Sequence, residues 1–253
     1  MSGKTSRPTT FRLCRIASLV GPSLALLATA ITFAGTDDMH ISNPLGWQIG
    51  LFISALCLGL PWIFYFAQNH DDQLVTAGLI SLTMMLGIFW IFGYVGYFFY
   101  FCFAPIEVEY RIAALLPACT LLTHWAISSA KDVHEEIIAH DWMPRLYIEG
   151  PHHHIYTMET AQAFSSQSKI RSPIRSHHIW LALLIAPSAF ALNRILTPYT
   201  GSGHGVFMVL SLFGLPMSLW LIGIGSRTYL LMIHYPLKLQ RQTGKPVLMH
   251  NFD

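Results

Sequence analysis

Long apolar stretches constrain this chain more than any other feature of its sequence. Six of them are long enough to cross a bilayer: Ile16 to Ala34, Leu45 to Ala67, Leu74 to Phe101, Ile112 to Ser129, Ile179 to Leu196 and Val206 to Arg227. A helix of about 17–25 apolar residues crosses the roughly 30 Å of hydrocarbon. Backbone groups in lipid must pair within their own segment, so these stretches are predicted to be helices rather than open strands.

The low share of charged residues supports this interpretation. Charged residues make up 11% of the chain and hydrophobic residues 53%. A soluble domain carries about 25% charged residues, because its surface must be solvated. The sequence therefore predicts an all-α polytopic membrane protein with six transmembrane helices, arranged four plus two around a polar segment. A net charge of +2 without a basic helix argues against a nucleic-acid partner.

The polar segments divide the chain into five predicted parts. These are a basic N-terminal arm (1–15), a four-helix membrane bundle (16–129), a histidine-rich segment (130–178), a two-helix hairpin with a helical extension (179–234) and a polar tail (235–253). The division into four and two spans lacks the matching halves that are typical of inverted-repeat transporters.

The distribution of basic residues predicts the orientation. Thirteen of the 15 lysines and arginines fall on one side of the predicted spans, and only Arg111 and Arg194 fall on the other. Basic residues accumulate on the cytoplasmic side of membrane proteins. Both termini and segment 130–178 are therefore expected in the cytoplasm. The short basic arm favours a bacterial inner membrane.

The end of the fourth span is predicted to continue as an amphipathic helix from Ala126 to Trp142, which Pro144 would end. One face of this helix would carry Val133, Ile137, Ile138 and Trp142, and another Asp132, Glu136 and His140. A hairpin is predicted next, with strands at Arg145 to Glu149 and His152 to Met158 around a Gly150-Pro151 turn, and then a weak helix from Met158 to Ser166.

Histidines are concentrated in the polar segment. Seven of the thirteen lie between Lys131 and His178. Neutral imidazoles beside carboxylates are typical ligands of iron and zinc, and the candidate ligands are His134, His140, His152, His153 and His154. Their spacing matches neither the histidine boxes of membrane hydroxylases and desaturases nor the HExxH and ExxH patterns.

Small residues at helix-packing spacing predict where helices cross. They are Gly46 with Gly50, Ala55 with Gly59, and Gly93 with Gly96. Such residues allow two helix backbones to approach closely in lipid.

Three functions fit these features. The leading hypothesis is a non-enzymatic inner-membrane component of a multi-subunit complex, of secretion or conjugation type. No cofactor is expected, and the partners would be the lipid bilayer and other protein subunits. The predicted interaction residues are Asp132, Glu136, His140, Trp142, Arg145 and Tyr147. The first alternative is an iron or zinc enzyme acting on a lipid-like substrate through the candidate histidines. The second is a small transporter or channel with a water path near His124.

Overall fold

Five helices in the described part of the chain are long and apolar enough to cross a membrane. We analysed a computed structural model that describes residues 9–67, 72–167, 194–195 and 204–249. The five helices are α1 (Thr9–Asp38), α2 (Leu45–Ala67), α3 (Leu74–Phe103), α4 (Val108–Ala139) and α7 (His204–Thr243). The predicted fifth span, Ile179 to Leu196, lies outside the described residues except for Arg194 and Ile195. The total of six spans therefore stays a prediction.

The predicted span bounds are confirmed at both ends of α2 and at the start of α3, whereas the first span is longer than predicted at both ends. α1 already begins at Thr9, so Arg12 and Arg15 belong to the first helix and not to a separate arm. α4 and α7 continue beyond the spans that end at Ser129 and Arg227, as the predicted helical extensions require; α4 ends at Ala139, before the predicted Trp142, and α7 continues to Thr243, beyond the predicted residue 234. A helix satisfies its backbone hydrogen bonds internally, so it can continue from lipid into water without a break.

α3 occupies the centre of the described bundle and contacts α1, α2 and α7. Two crossings bring backbone against backbone: Gly87 meets Gly21 of α1, and Gly96 meets Gly214 of α7. A Cβ atom added to Gly96 would lie 2.9 Å from the Cα atom of Gly214, which is closer than real Cβ contacts allow. Glycine at these crossings therefore sets how closely the helices pack.

Two of the three predicted small-residue pairs lie at helix contacts. Gly46 packs against Phe99, Gly50 packs against Thr29, and Gly93 and Gly96 are buried against α7. Ala55 and Gly59 make no such contact within the described residues: Ala55 is exposed, and a Cβ atom on Gly59 would meet none of their atoms within 4 Å. The spacing is the same in all three pairs, but this last one lies on an outer face of α2.

Two of the long helices contain π-helical turns, at Trp90–Phe98 in α3 and at Leu230–His234 in α7. In such a turn each backbone N–H bonds to the carbonyl group five residues back, so the helix widens and the face that it presents changes. The turn in α3 includes Gly93 and Gly96, which contact α7.

A small folded unit lies at one end of the bundle. Between α4 and α7 the chain forms α5 (Met143–Leu146), β1 (Tyr147–Glu149), β2 (His154–Tyr156) and α6 (Met158–Gln167), and β3 (Val247–Met249) follows α7. The strands form one sheet in the order β1-β2-β3, antiparallel between β1 and β2 and parallel between β2 and β3. We call residues 130–167 and 235–249 the cap.

The predicted hairpin and the predicted helix after it are confirmed, but the strands are shorter than expected. Pro144 does not end α4. That helix ends at Ala139 and is followed by Asp141 in the left-handed region with φ of 46°. Pro144 instead lies in the first turn of α5. Proline is well tolerated there, because the first backbone N–H groups of a helix have no partner within it.

The contact between α3 and α7 predicts that glycine-to-alanine substitution changes stability differently at Gly96 and at Gly59. Gly96→Ala would force the two backbones apart, and overpacking of this kind costs about 1–3 kcal/mol. Gly59→Ala adds its methyl group in open space, so we expect no loss and a gain of up to about 1 kcal/mol from helix propensity. Unfolding by a denaturing detergent, followed by circular dichroism, would measure both variants. Equal stability of the two would contradict the described crossing.

Candidate functional site

The cap is built around a buried hydrophobic cluster. Its members come from the start of α3, the end of α4, the hairpin, α5, α6, the end of α7 and β3; they are Leu74, Val133, Ile137, Trp142, Leu146, Tyr147, Tyr156, Phe164, Tyr235 and Val247. Burying this much aliphatic and aromatic surface stabilises a unit that is otherwise too small to fold alone. The cap is therefore fixed to the helix ends and does not hang from them as a loose loop.

Asp72 joins the cap to the first helix. Its Oδ1 atom accepts hydrogen bonds from the backbone N–H of Thr10, at 2.9 Å, and from the Thr10 hydroxyl, at 2.8 Å. Its backbone carbonyl accepts one from the N–H of Met249 in β3, at 2.8 Å. The Thr10 N–H is among the first of α1, which have no partner within the helix, so a carboxylate is favourable there. Three distant parts of the chain meet at this residue.

Tyr147 joins the hairpin to the π turn of α7. Its hydroxyl donates a hydrogen bond to the backbone carbonyl of Leu231 at 2.6 Å. Burial raises the pKa of Tyr147 well above its ordinary value, and burial likewise raises the pKa of Tyr156 to about 12. Both side chains therefore stay protonated at neutral pH, and Tyr147 remains a donor.

Three of the candidate histidines bond to separate partners. His134 Nδ1 lies 2.7 Å from the Tyr235 hydroxyl, and His154, which is buried, has its Nε2 atom 3.1 Å from the Thr243 hydroxyl. His140 pairs with Glu136 at 3.1 Å, as expected for the shared face of α4.

These histidines do not converge. His152 and His153 lie in the hairpin turn, with His152 exposed. Across the described residues, no three histidine, cysteine, aspartate or glutamate side chains form a group that could hold a metal ion. His134 and His154 contribute instead to the contact between the two parts of the cap, residues 130–167 and the end of α7.

The predicted interaction residues divide into buried and exposed ones. Trp142 and Tyr147 are 5% and 3% exposed, so they build the cap from inside. Arg145 is exposed and places its guanidinium group 5.5 Å from the centre of the Trp142 ring. Asp132 acts electrostatically on Arg227 of α7. Glu136 keeps only 15% of its side chain exposed beside His140.

Two exposed isoleucines on the cap were missed by sequence reasoning. Ile138 was assigned to the buried face of α4 but is 66% exposed, and Ile148 on β1 is 46% exposed. The helical period explains the exposure of Ile138. Val133 and Ile137 share the buried face of α4, and Ile138 is turned away from that face by about 100°. Strand alternation explains the exposure of Ile148. Tyr147 points into the cluster, so the next side chain of β1, Ile148, points away from it.

His124, which the transporter hypothesis singled out, is exposed on α4. α4 is the least buried of the five candidate spans. The His124 side chain therefore lies on the outside of the described bundle and does not line a path between its helices.

Comparison with known proteins finds no matching family model, no similar curated protein and no similar solved structure. A functional proposal must therefore rest on the geometry of the chain itself.

The hydrogen bond between Tyr147 and α7 can be tested by Tyr147→Phe. This variant keeps the ring in the cluster but leaves the Leu231 carbonyl without its donor, which costs about 1–3 kcal/mol. We expect faster hydrogen exchange in β1 and at the end of α7. Tyr110→Phe, at an exposed tyrosine on α4, should stay within about 0.5 kcal/mol of the parent protein. A Tyr147→Phe variant with unchanged exchange would contradict the described bond.

The ion pair between Glu149 and Lys245 predicts a pH dependence. Lys245 donates a hydrogen bond to Glu149 at 2.8 Å, and this bond, together with the lysine charge, lowers the pKa of Glu149 below its ordinary value of 4.5. A lowered folded-state pKa stabilises the contact above pH 4.5, and this stabilisation is lost as the pH falls through the folded-state pKa. Carbon NMR of the Glu149 carboxyl should show the lowered pKa, and Lys245→Gln should return it towards 4.5. A pKa that is identical in both proteins would contradict the pair.

Proposed function

We propose that this chain is a non-enzymatic subunit of a membrane-protein complex, and that the cap is its binding surface for a partner protein. One observation carries the proposal: the cap is a tightly anchored folded unit that nevertheless leaves two large isoleucine side chains exposed. Apolar side chains surrounded by polar ones are typical of protein-binding surfaces.

β1 offers a specific way to bind a partner. Within the described sheet, β1 pairs only with β2, so the other edge of β1 presents backbone donors and acceptors. An extended segment of a partner can add to such an edge as a further strand. Ile148 would then contribute an apolar contact on the outer face of the enlarged sheet.

Charged and polar groups on the same unit would supply the rim of this surface. His140, Asp141 and Arg145 are exposed, and the Glu149–Lys245 pair lies at the end of β1. Rim charges of both signs add specificity and faster association more than affinity. They suit a partner with a mixed-charge surface around an apolar centre.

The distribution of basic residues supports the orientation that we propose. Arg12, Arg15, Lys131, Lys238 and Arg241 all lie on the helix ends that carry the cap. Under the positive-inside rule, the cap and both termini would face the cytoplasm of a bacterial inner membrane. The partner would then be a cytoplasmic protein or the cytoplasmic part of another membrane subunit, as in secretion or conjugation complexes.

Site-specific photocrosslinking in the native host would test this function. A photoreactive residue in place of Ile148 should capture a defined partner protein that also co-purifies in stoichiometric amounts in mild detergent. The same residue in place of Tyr110, which is 66% exposed at the opposite end of α4, should not capture it.

A substitution would then measure the contribution of the exposed side chain. Ile148→Asp should reduce co-purification of that partner about tenfold or more, the loss expected for a residue that contributes over 1 kcal/mol. Because Ile148 points away from the cluster, the variant should keep the stability of the parent protein. Failure to capture a stoichiometric partner at position 148, or unchanged co-purification of Ile148→Asp, would overturn the proposal.

A further inference from the structure

An apolar groove runs along α7. It has a volume of about 590 Å³ and lies between α3, α4 and α7. Its lining includes Leu82, Met85 and Phe89 from α3, Ala126 from α4, and Leu221 and Gly225 from α7. The groove is open along one side, so a flexible apolar chain could enter it from the surrounding lipid.

A basic recess of about 360 Å³ lies on α7 beyond the end of this groove. Its lining includes His234, Lys238, Arg241 and Gln242. Lys238 lies four residues after His234, and Arg241 and Gln242 lie three and four residues after Lys238, so the four residues form one broad face of the helix. Tyr229 lines both the recess and the groove, so the two lie next to each other on α7.

The π turn of α7 aligns the basic recess with the apolar groove. In a regular α-helix, residues five apart point in clearly different directions. In the π turn Leu230–His234, residues five apart are neighbours, and the rings of Tyr229 and His234 lie 6.3 Å apart. The basic face of α7 therefore begins where its groove face ends.

The dimensions and charges of this combined site match one class of molecule. Along α7 the groove extends from Leu221 to Leu230, a rise of about 14 Å at 1.5 Å per residue. This is close to half of the roughly 30 Å hydrocarbon thickness, which is the length that one acyl chain covers. Lys238 and Arg241 are cations at the end of the groove, and among its described lining residues the recess has no carboxylate.

We propose that α7 binds one anionic phospholipid, with the phosphate at Lys238 and Arg241 and one acyl chain in the groove. The side chains that would hold the headgroup are donors of the kind that bind phosphate oxygens, and Arg241 can bind two of them at once. Basic side chains at the membrane surface attract anionic lipids. The site is separate from the exposed isoleucines of the cap, so it does not depend on the proposed protein partner.

Fluorescent phosphatidylglycerol and phosphatidylcholine with identical acyl chains would test the site on the full-length protein in mild detergent. The parent protein should bind phosphatidylglycerol saturably and more tightly than phosphatidylcholine. The variant Lys238→Gln/Arg241→Gln should bind phosphatidylglycerol about 25-fold more weakly, roughly fivefold for each basic residue removed. Its affinity for phosphatidylcholine, whose phosphate charge is already offset by the choline cation, should fall by a smaller factor, so the preference for phosphatidylglycerol should be lost.

Gly225→Leu tests the groove separately. A Cβ atom on Gly225 would meet only the end of the flexible Met85 side chain, at 3.8 Å, so a larger residue fills the groove without displacing backbone. This variant should bind both lipids more weakly by the same factor and keep the preference for phosphatidylglycerol. Gly59→Leu places the same side chain in open space on α2, and Lys131→Gln removes one exposed charge of the cap. Neither control should change the affinity for either lipid.

Three results would overturn the proposal. The first is equal binding of the two lipids by the parent protein. The second is an unchanged preference in Lys238→Gln/Arg241→Gln. The third is a crosslink to protein from a photoreactive residue in place of Gly225, which we expect to crosslink to lipid. Crosslinking to residues 179–196 of the same chain or to another protein would show that protein fills the groove.

Discussion

Close contact between helix backbones is the interaction on which the rest of this structure depends. Helices in lipid gain little from burying apolar side chains against one another, because lipid tails are as apolar as leucine. What remains is dense packing, and α3 provides it at two glycine crossings, with Gly21 of α1 and Gly214 of α7. The positions of α1 and α7 relative to each other follow from these two contacts, and so does the arrangement of the cap that their ends support.

The cap is stabilised by a different balance of forces, since it lies beyond the apolar part of the helices. Its tyrosines, Trp142 and Phe164 form a core of the kind found in soluble domains. A hydrogen bond from Tyr147 to the Leu231 carbonyl and one between His134 and Tyr235 connect residues 130–167 to α7. Asp72 then connects the same unit to α1. The chain thus combines a bundle held by small residues with a polar unit held by large ones.

The helices were predictable from sequence because hydropathy and length decide them locally. The predicted bounds of α2 agree with the observed ones at both ends, and the Gly150-Pro151 turn correctly predicted a hairpin. Contacts between distant residues were not predictable in this way. Nothing in a local pattern shows that Asp72 caps α1, that β3 pairs with β2, or that Gly214 rather than another glycine faces Gly96. The π turns were missed for the same reason, because they depend on packing and not on composition. The metal candidates, although close in sequence, are distributed among separate contacts once the chain is folded.

The parallel pairing of β2 with β3 has a consequence for the timing of folding. His154 and Val247 are neighbours in the sheet, although all of α7 lies between them in the chain. During synthesis, the hairpin therefore leaves the ribosome long before the strand that completes its sheet. Until then, one edge of β2 and part of the hydrophobic cluster are open to solvent, to chaperones and to proteases. An intact sheet thus marks a chain whose last helix has already been synthesised, and a cell could use that difference to remove incomplete molecules.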